Sequence, residues 1–555
     1  MDTDVLIAGA GPTGLCLAAS LARRGLRARI LDREPVPATT SKAMVLHART
    51  LELFEDMGVA DALVGRGLPL RGATLWSGGE VIVSAGFEEI DSRYNYALSI
   101  SQAETEAVLT EHLRGLGVEV ERGTELFSFR QDGTGVSAVT RGPKGEARIR
   151  AGWLVGTDGA HSTVRKQLEI PFEGSTYEER LLLADVRIAW DSRDDRIATF
   201  FGADGLCACF PMKGGRWRVI ATAPGDEQAA PTLEQMQAIF DARTAVKGVL
   251  SDPGWLARFR IHCRQAARYR DDRVLLAGDA AHVHSPVGGQ GLNTGIQDAL
   301  NLAWKLALVH QGHARGRLLD SYETERHAVG QALLQSTDAV TRVGLVKGTV
   351  ARHVRSDVAR VLASFESVQQ KIAREIAELG VGYERSPIVR EDRLSILQAR
   401  LGTVAGGDTP TLSSMRDFEA GPRAGARAPD ANVVKAGGGA QRLAQALDGK
   451  AHTLLVFDGR AQTAEGYARY VSIAQRLAER WPDRVRTVLV TPRPARPEGL
   501  PESLPVLLDP DGEAEKRYAA TTECLYLVRP DLYVGYRSQP ADEQKLADYL
   551  GTILR

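Results

Sequence analysis

Apolar and polar positions change period twice within the first stretch of the chain. Asp4-Val5-Leu6-Ile7-Ala8 is a nearly continuous apolar run, the pattern of a strand covered on both faces of a parallel sheet. From Leu15 to Arg24 the spacing becomes helical, with Leu17, Leu21 and small alanines between them. Ala28-Arg29-Ile30-Leu31 returns to strand and ends on Asp32. Together these predict a β-α-β unit of the usual ~30 residues. The same transition recurs twice. Ala151 to Val155 is an apolar strand running into the polar turn Gly156-Thr157-Asp158-Gly159-Ala160-His161-Ser162, where Ser162 is placed to cap a helix. Arg273 to Ala277 is another buried strand, ending in Gly278-Asp279. It is followed by a glycine-rich stretch from Pro286 to Gly295 and an amphipathic helix from Ile296 to Val309 carrying Leu300, Ala303, Trp304 and Leu308.

Between these motifs and after them the pattern differs. Leu181–Ile188, Ile197–Phe201, Cys207–Pro211 and Trp217–Ala221 are short β-like runs. Residues 318–400 read as largely helical, and Gly402 to Asp430, rich in Gly, Pro and Ala, as a linker. Beyond it a strand is expected at His452–Phe457, a helix at Tyr467–Trp481, a strand at Val485–Val490 and a hairpin beginning at Leu525.

A chain of 555 residues exceeds one ordinary core, so two or three domains are expected. Hydrophobic content of 43% with 25% charged residues places it among globular proteins, and a net charge of -1 gives no electrostatic reason to bind nucleic acid or an anionic membrane. No secretory signal opens the chain and no apolar run reaches bilayer length, so a cytoplasmic enzyme with no membrane span is expected. The five cysteines include no C-x-x-C pair, and Cys207 and Cys209 fall on one face of one strand, so reduced cysteines are expected.

The glycines carry the first chemical clue. Gly9 permits a tight turn, Gly11 leaves the backbone open to a pyrophosphate, and Gly14 allows close packing behind it. The helix that follows offers free N–H groups and a partial positive charge to a diphosphate. Asp32, at the end of the second strand, can accept hydrogen bonds from an adenosine ribose. This predicts nucleotide binding without separating FAD from NAD. His282 and His284 stand two apart with no third ligand nearby, so no metal site is expected.

Taken together, Gly9–Gly14, Asp158-Gly159 and Gly278-Asp279 resemble the three fingerprints of the class A FAD-dependent aromatic hydroxylases, closest to the phenol and polyketide type with a thioredoxin-like C-terminal domain. The resemblance implies an α/β fold: a Rossmann-type FAD-binding domain (1–175 and 268–400, with a helical extension), an inserted β-sheet substrate domain (176–267), a linker (401–430) and a thioredoxin-like domain (431–555). It implies FAD contacts at Gly9, Gly11, Pro12, Thr13, Gly14, Asp32, Arg33, Lys42 and Gln102. It adds Asp279 at the ribityl chain, and Pro286, Gly288, Gly289, Gly291, Leu292 and Asn293 around the isoalloxazine. Asp158 serves FAD, NADPH or only its turn; Arg49 matches a recurrent arginine of unassigned role; Arg165 has a structural alternative. Phe201, Cys209, Phe210 and Trp217 are candidate substrate-pocket residues, with core packing the alternative for each.

The implied reaction uses NADPH or NADH as transient reductant and O2, and hydroxylates an aromatic or polyketide small molecule through a flavin C4a-hydroperoxide. No catalytic side chain is named by the motifs. A second G-x-G-x-x-G unit for the nicotinamide is absent from the sequence. Alternatives on the same scaffold are Baeyer–Villiger, epoxidising or antibiotic-inactivating oxygenation, and a non-redox flavin-dependent cyclase. The tail lacks C-x-x-C after Phe457, so thiol redox chemistry is not expected of it, and the chain is expected to be a monomer or homodimer.

Overall fold

The computed structural model describes residues 1–40, 43–202, 204–223, 229–345, 374–375, 377–393, 412–459 and 467–555. Two compact units emerge: Met1–Leu300 with Arg326–Leu379, and Asn301–Glu325 with Gly380–Arg555. The α-helices of the first unit include α1 (Pro12–Ala22), α2 (Ala48–Met57), α3 (Ala60–Arg66), α4 (Gln102–Gly115), α5 (Thr163–Gln167), α6 (Leu233–Arg243), α7 (Gly291–His310, continuing into the second unit) and α8 (Asp320–Leu345, beginning there).

The three sequence motifs belong to one sheet, whose central path runs Arg270–Asp271, Val274–Leu276, Gly145–Gly156, Thr3–Ala8, Ala28–Asp32, Val120–Arg122. From Val274–Leu276 to Val120–Arg122 the neighbours are all parallel. In register, Ala8 faces Gly156 and Gly156 faces Leu276, so the ends of the three motif strands stand in one row. Ligands of open α/β sheets bind outside such carboxyl ends. The strands form because Val5, Leu6, Ile7, Leu154, Val155, Leu275 and Leu276 are fully buried.

A second sheet contains the predicted β-like runs, in the order His282–Val283, Gly248–Ala266, Phe172–Trp190, Arg216–Thr222, Gly205–Met212, Arg196–Gly202, Gly72–Ser77, Glu80–Gly86. The last two strands come from the amino-terminal region, which the sequence pattern did not assign to this sheet. Helix α6, opened by a capping box between Thr232 and Gln235, covers one face. Met236, Ile239 and Phe240 of α6 share a core there with Phe200, Cys207, Cys209, Trp217 and Val219.

The second unit holds an eight-stranded sheet. The strand His452–Gly459, helix Ala468–Arg480, strand Val485–Thr491 and hairpin Thr522–Val528/Val534–Gln539 lie where the periodicity placed them. Two boundaries differ from the sequence reading. Residues 301–325 and 380–393 cluster here rather than with the cofactor-binding unit. Trp304 packs into a core with Leu454, Leu477 and Trp481, while Lys305 and Arg529 both pair with buried Glu325 at 2.7 Å. The stretch read as a linker contains a helix, Leu412–Ala420, anchored by buried Phe418. Residues 346–373 and 394–411 of the expected helical extension and linker lie outside the described residues. The five cysteines are buried and outside any disulfide. Among the described residues no helix is long and apolar enough to cross a membrane, and no group of three potential metal ligands occurs.

Candidate cofactor site

The three glycines of the first turn have different reasons to be glycine. Gly9 has φ +105°, and a Cβ there would stand 2.4 Å from the Thr157 carbonyl oxygen. A Cβ on Gly14 would stand 2.0 Å from the Gly9 carbonyl oxygen and 2.7 Å from Thr157 Oγ1. Both are fixed by packing of the protein on itself. Gly11 has an ordinary φ of -72°, and a Cβ on it would meet nothing within 4 Å. No atom of the described residues requires glycine at that position. Gly11 is the N-cap of α1 with Pro12 in the first turn, and no side chain caps the helix. The first N–H groups of α1 therefore remain available to an anion. Asp32 accepts the Ala10 amide at Oδ2 (2.8 Å) and the Glu34 amide at Oδ1 (2.8 Å), which ties the loop to the second strand. Arg33 is exposed, its Nε 3.2 Å from Glu34. Lys42 lies outside the described residues.

The other two turns close onto the first. Asp158 Oδ2 accepts the amides of Thr163 (2.7 Å) and Val164 (3.1 Å), and Ser162 Oγ accepts that of Arg165 (2.9 Å), so both cap α5 as Ser162 was expected to. Burial pushes the Asp158 carboxyl above its ordinary value, against these hydrogen bonds. Arg165 finds carbonyls rather than carboxylates: Nη1 donates to Ala280 and Nη2 to Ala160, each at 2.8 Å. It thus ties the second turn to the third. Gly278 has φ +62°, and its Cβ would stand 2.6 Å from Thr13 Oγ1; the Cβ of Gly295 would stand 2.5 Å from the same atom and 3.3 Å from Gly278 Cα. Thr13 of the first motif, Gly278 of the third and Gly295 in α7 therefore meet at one point. Asp279 is exposed beside that junction.

The Pro286–Asn293 turn is clamped by residues that the motifs do not flag. Asn293, fully buried, donates from Nδ2 to the carbonyls of Val45 (2.9 Å) and Gly289 (3.0 Å) and accepts the His47 amide at Oδ1 (2.9 Å). His47 Nε2 lies 2.9 Å from the Gly288 carbonyl oxygen and donates to it. Burial holds the His47 imidazole down to about 4, so it is neutral at physiological pH. Gly288 (φ +82°) and Gly289 (φ +65°) supply left-handed backbone, and Gly291 leaves room for the His284 ring, 3.1 Å from where its Cβ would be. Leu292 and Asn293 form the first turn of α7 with Gly291. Gln102 opens α4, donating from Nε2 to Glu106 (2.8 Å). The residues just before it, Ser99 to Ser101, line a cleft of about 400 Å³ with Arg66, Met212 and Lys213. Arg49 is buried at the start of α2, with Nη1 3.1 Å from Glu52.

The four pocket candidates divide by strand parity. Cys209 and Trp217 enter the core beneath α6, where Trp217 meets Trp190 edge-on at 4.8 Å. Phe201 and Phe210 neighbour Phe200 and Cys209 in sequence, so they project from the opposite face of the sheet, and both are half-buried.

Glu378 is a further buried carboxyl in this unit, bonded to the Gln297 amide of α7. Burial raises it to about 8, although Arg326 and Gln297 oppose the rise. An unfolded glutamate ionises near 4.5, so its contribution to stability is lost as pH rises from there through 8. Glu378→Gln is expected to raise Tm more at about pH 9 than at about pH 5. Thermal melts of the two proteins across that range check this, and an equal shift at both ends contradicts it.

Three parallel strand ends in one row, with an uncapped helix start at Gly11, form the layout of a dinucleotide-binding α/β domain. The chain belongs to the FAD-dependent aromatic hydroxylases: residues 2–337 match the family described as "FAD binding domain", and residues 421–554 that described as "Aromatic-ring hydroxylase, C-terminal". It is similar to the 6-methylpretetramide 4-monooxygenase of Streptomyces rimosus, 36% identical over 547 residues, covering 97% of this chain and 91% of the relative. Among solved structures it is similar to an aklavinone-11 hydroxylase in complex with FAD and aklavinone (TM-score 0.74, 27% identity, 99% of this chain and 98% of the other). It is also similar to the Diels-Alderase PyrE3 of pyrroindomycin biosynthesis (TM-score 0.69, 29% identity, 100% and 99%). The protein is an FAD-dependent monooxygenase of α/β fold.

Proposed function

We propose that this enzyme hydroxylates an aromatic or polyketide-type small molecule, using NADPH or NADH and O2. The observation that carries the reading is the meeting of Thr13, Gly278 and Gly295, which joins the phosphate cradle to the Asp279 turn and α7. Bound FAD supplies hydride acceptance from the nicotinamide and the activation of O2. The chain's own residues do the rest. Gly11 and the α1 amides receive the pyrophosphate, and Asp32 orients the adenosine end. Asp279 holds the ribityl chain. The clamped Pro286–Asn293 turn and the positive end of α7 would hold the flavin ring by backbone amides and favour negative charge on it. Phe201 and Phe210, on the sheet face away from α6, contact an aromatic substrate and help exclude water from the reacting face.

The test is NAD(P)H consumption by the FAD-loaded enzyme against a panel of phenols and polycyclic polyketides, with product analysis under labelled O2. An accepted substrate is expected to accelerate NAD(P)H oxidation and to return with one labelled oxygen atom; oxidation that yields only hydrogen peroxide with every aromatic tested contradicts the reading. The likeness to a Diels-Alderase supports a second reading, non-redox ring closure in the same cradle. Turnover under anaerobic conditions without NAD(P)H selects it.

A further inference from the structure

Asp298 lies on α7, fully buried, and its carboxylate is shared by three partners. Oδ2 accepts the Gly278 amide at 3.0 Å and His282 Nε2 at 2.7 Å; Oδ1 accepts Arg326 Nε at 2.6 Å. Arg326 also donates from Nη2 to the Thr294 carbonyl of the same helix at 3.1 Å. A fully buried ionic cluster contributes little net stability over an apolar core of equal volume, because desolvation offsets the attraction. Its effect here is on geometry. The 3-10 turn Gly278–Ala280 is closed by the Ala281 amide bonding to the Gly278 carbonyl (2.8 Å). It is then gripped from outside at the Gly278 amide by Asp298 and at the Ala280 carbonyl by Arg165. Of residues 277–281, Asp279 alone is exposed. His282, held by the same Asp298 oxygen as Gly278, fixes where the chain leaves the turn.

We propose that Asp298, acting through Gly278 and His282, is the positioning residue of the cofactor site. It anchors the Asp279 turn to the helix whose first turn carries Leu292 and Asn293. It thereby sets the separation between the group that takes the ribityl chain and the helix tip that faces the ring. This rests on the assignment of Asp279 and the α7 tip to FAD given above.

The experiment is equilibrium titration of apoprotein with FAD, read by flavin fluorescence and by the visible circular dichroism of the bound ring, alongside thermal melts of each apoprotein. Asp298→Asn and His282→Leu are expected to raise the FAD Kd about tenfold or more and to alter the visible dichroism; His282→Gln, which keeps an N–H donor, is expected to stay within about threefold of wild type. Wild-type Kd and dichroism in Asp298→Asn overturn the proposal, as does a lowered apoprotein Tm with unchanged Kd. Should Asp298→Asn not fold, the two His282 variants decide: equal Kd values for Leu, Gln and wild type overturn it. A wild-type protein that takes up no FAD overturns the functional reading itself, a result distinct from variants that match a binding wild type.

Discussion

Gly11→Ala is expected to leave the apoprotein within about 0.5 kcal/mol of wild-type stability and to weaken FAD binding by about tenfold or more. The added methyl group meets no atom of the described residues within 4 Å, and φ of -72° suits alanine. It occupies instead the space through which a pyrophosphate approaches the α1 amides. Gly14→Ala should behave oppositely. Its Cβ would lie 2.0 Å from the Gly9 carbonyl oxygen, so backbone must move, and a loss of about 2–4 kcal/mol in the apoprotein is expected. Denaturant melts of both apoproteins, followed by FAD titration of whichever folds, separate the two effects. Full FAD affinity in folded Gly11→Ala would remove the pyrophosphate from that cradle.

Trp217→Ala is expected to cost about 3–5 kcal/mol of stability, the range for a large buried aromatic. Trp217 is 5% exposed, lies edge-on to Trp190 and shares its core with Phe240 of α6. Phe210→Ala, on the other face of the same sheet, is expected to cost less than about 1 kcal/mol and to raise substrate KM several-fold. Chemical denaturation of both variants and steady-state kinetics of the folded enzymes check the pair. A stable Trp217→Ala with altered KM would place that side chain in the substrate pocket instead.

These variants mark the limits of what the sequence discloses. The three strand–turn–helix motifs were legible because buried parallel strands leave unbroken apolar runs, and glycines punctuate their ends. The packing role of Gly14 was legible from the motif; that Thr157, far along the chain, crowds both Gly9 and Gly14 was not. For Cys209 and Trp217 the choice between pocket and core stayed open in the sequence, because strand alternation does not say which face α6 covers. Asp298 was invisible for a related reason: an acid on an amphipathic helix reads as a solvated group until Gly278, His282 and Arg326 are seen around it. His47 likewise meets Asn293 only through the fold. The division of α7 between two units was hidden because its apolar stripe runs on past Leu300 through Ala303 and Trp304.

In the proposed binding mode one extended FAD is held at both ends, its adenosine diphosphate half by the Gly9–Gly14 loop and its flavin half by Asp279 and the α7 tip. Competitive titration of the apoprotein with FAD, FMN and ADP distinguishes this mode from binding of either half alone. One FAD per chain is expected, displaced by either fragment and bound at least about a hundredfold more tightly than each, as when two linked halves find preformed sites. FMN binding as tightly as FAD, or FAD failing to bind at all, would contradict it.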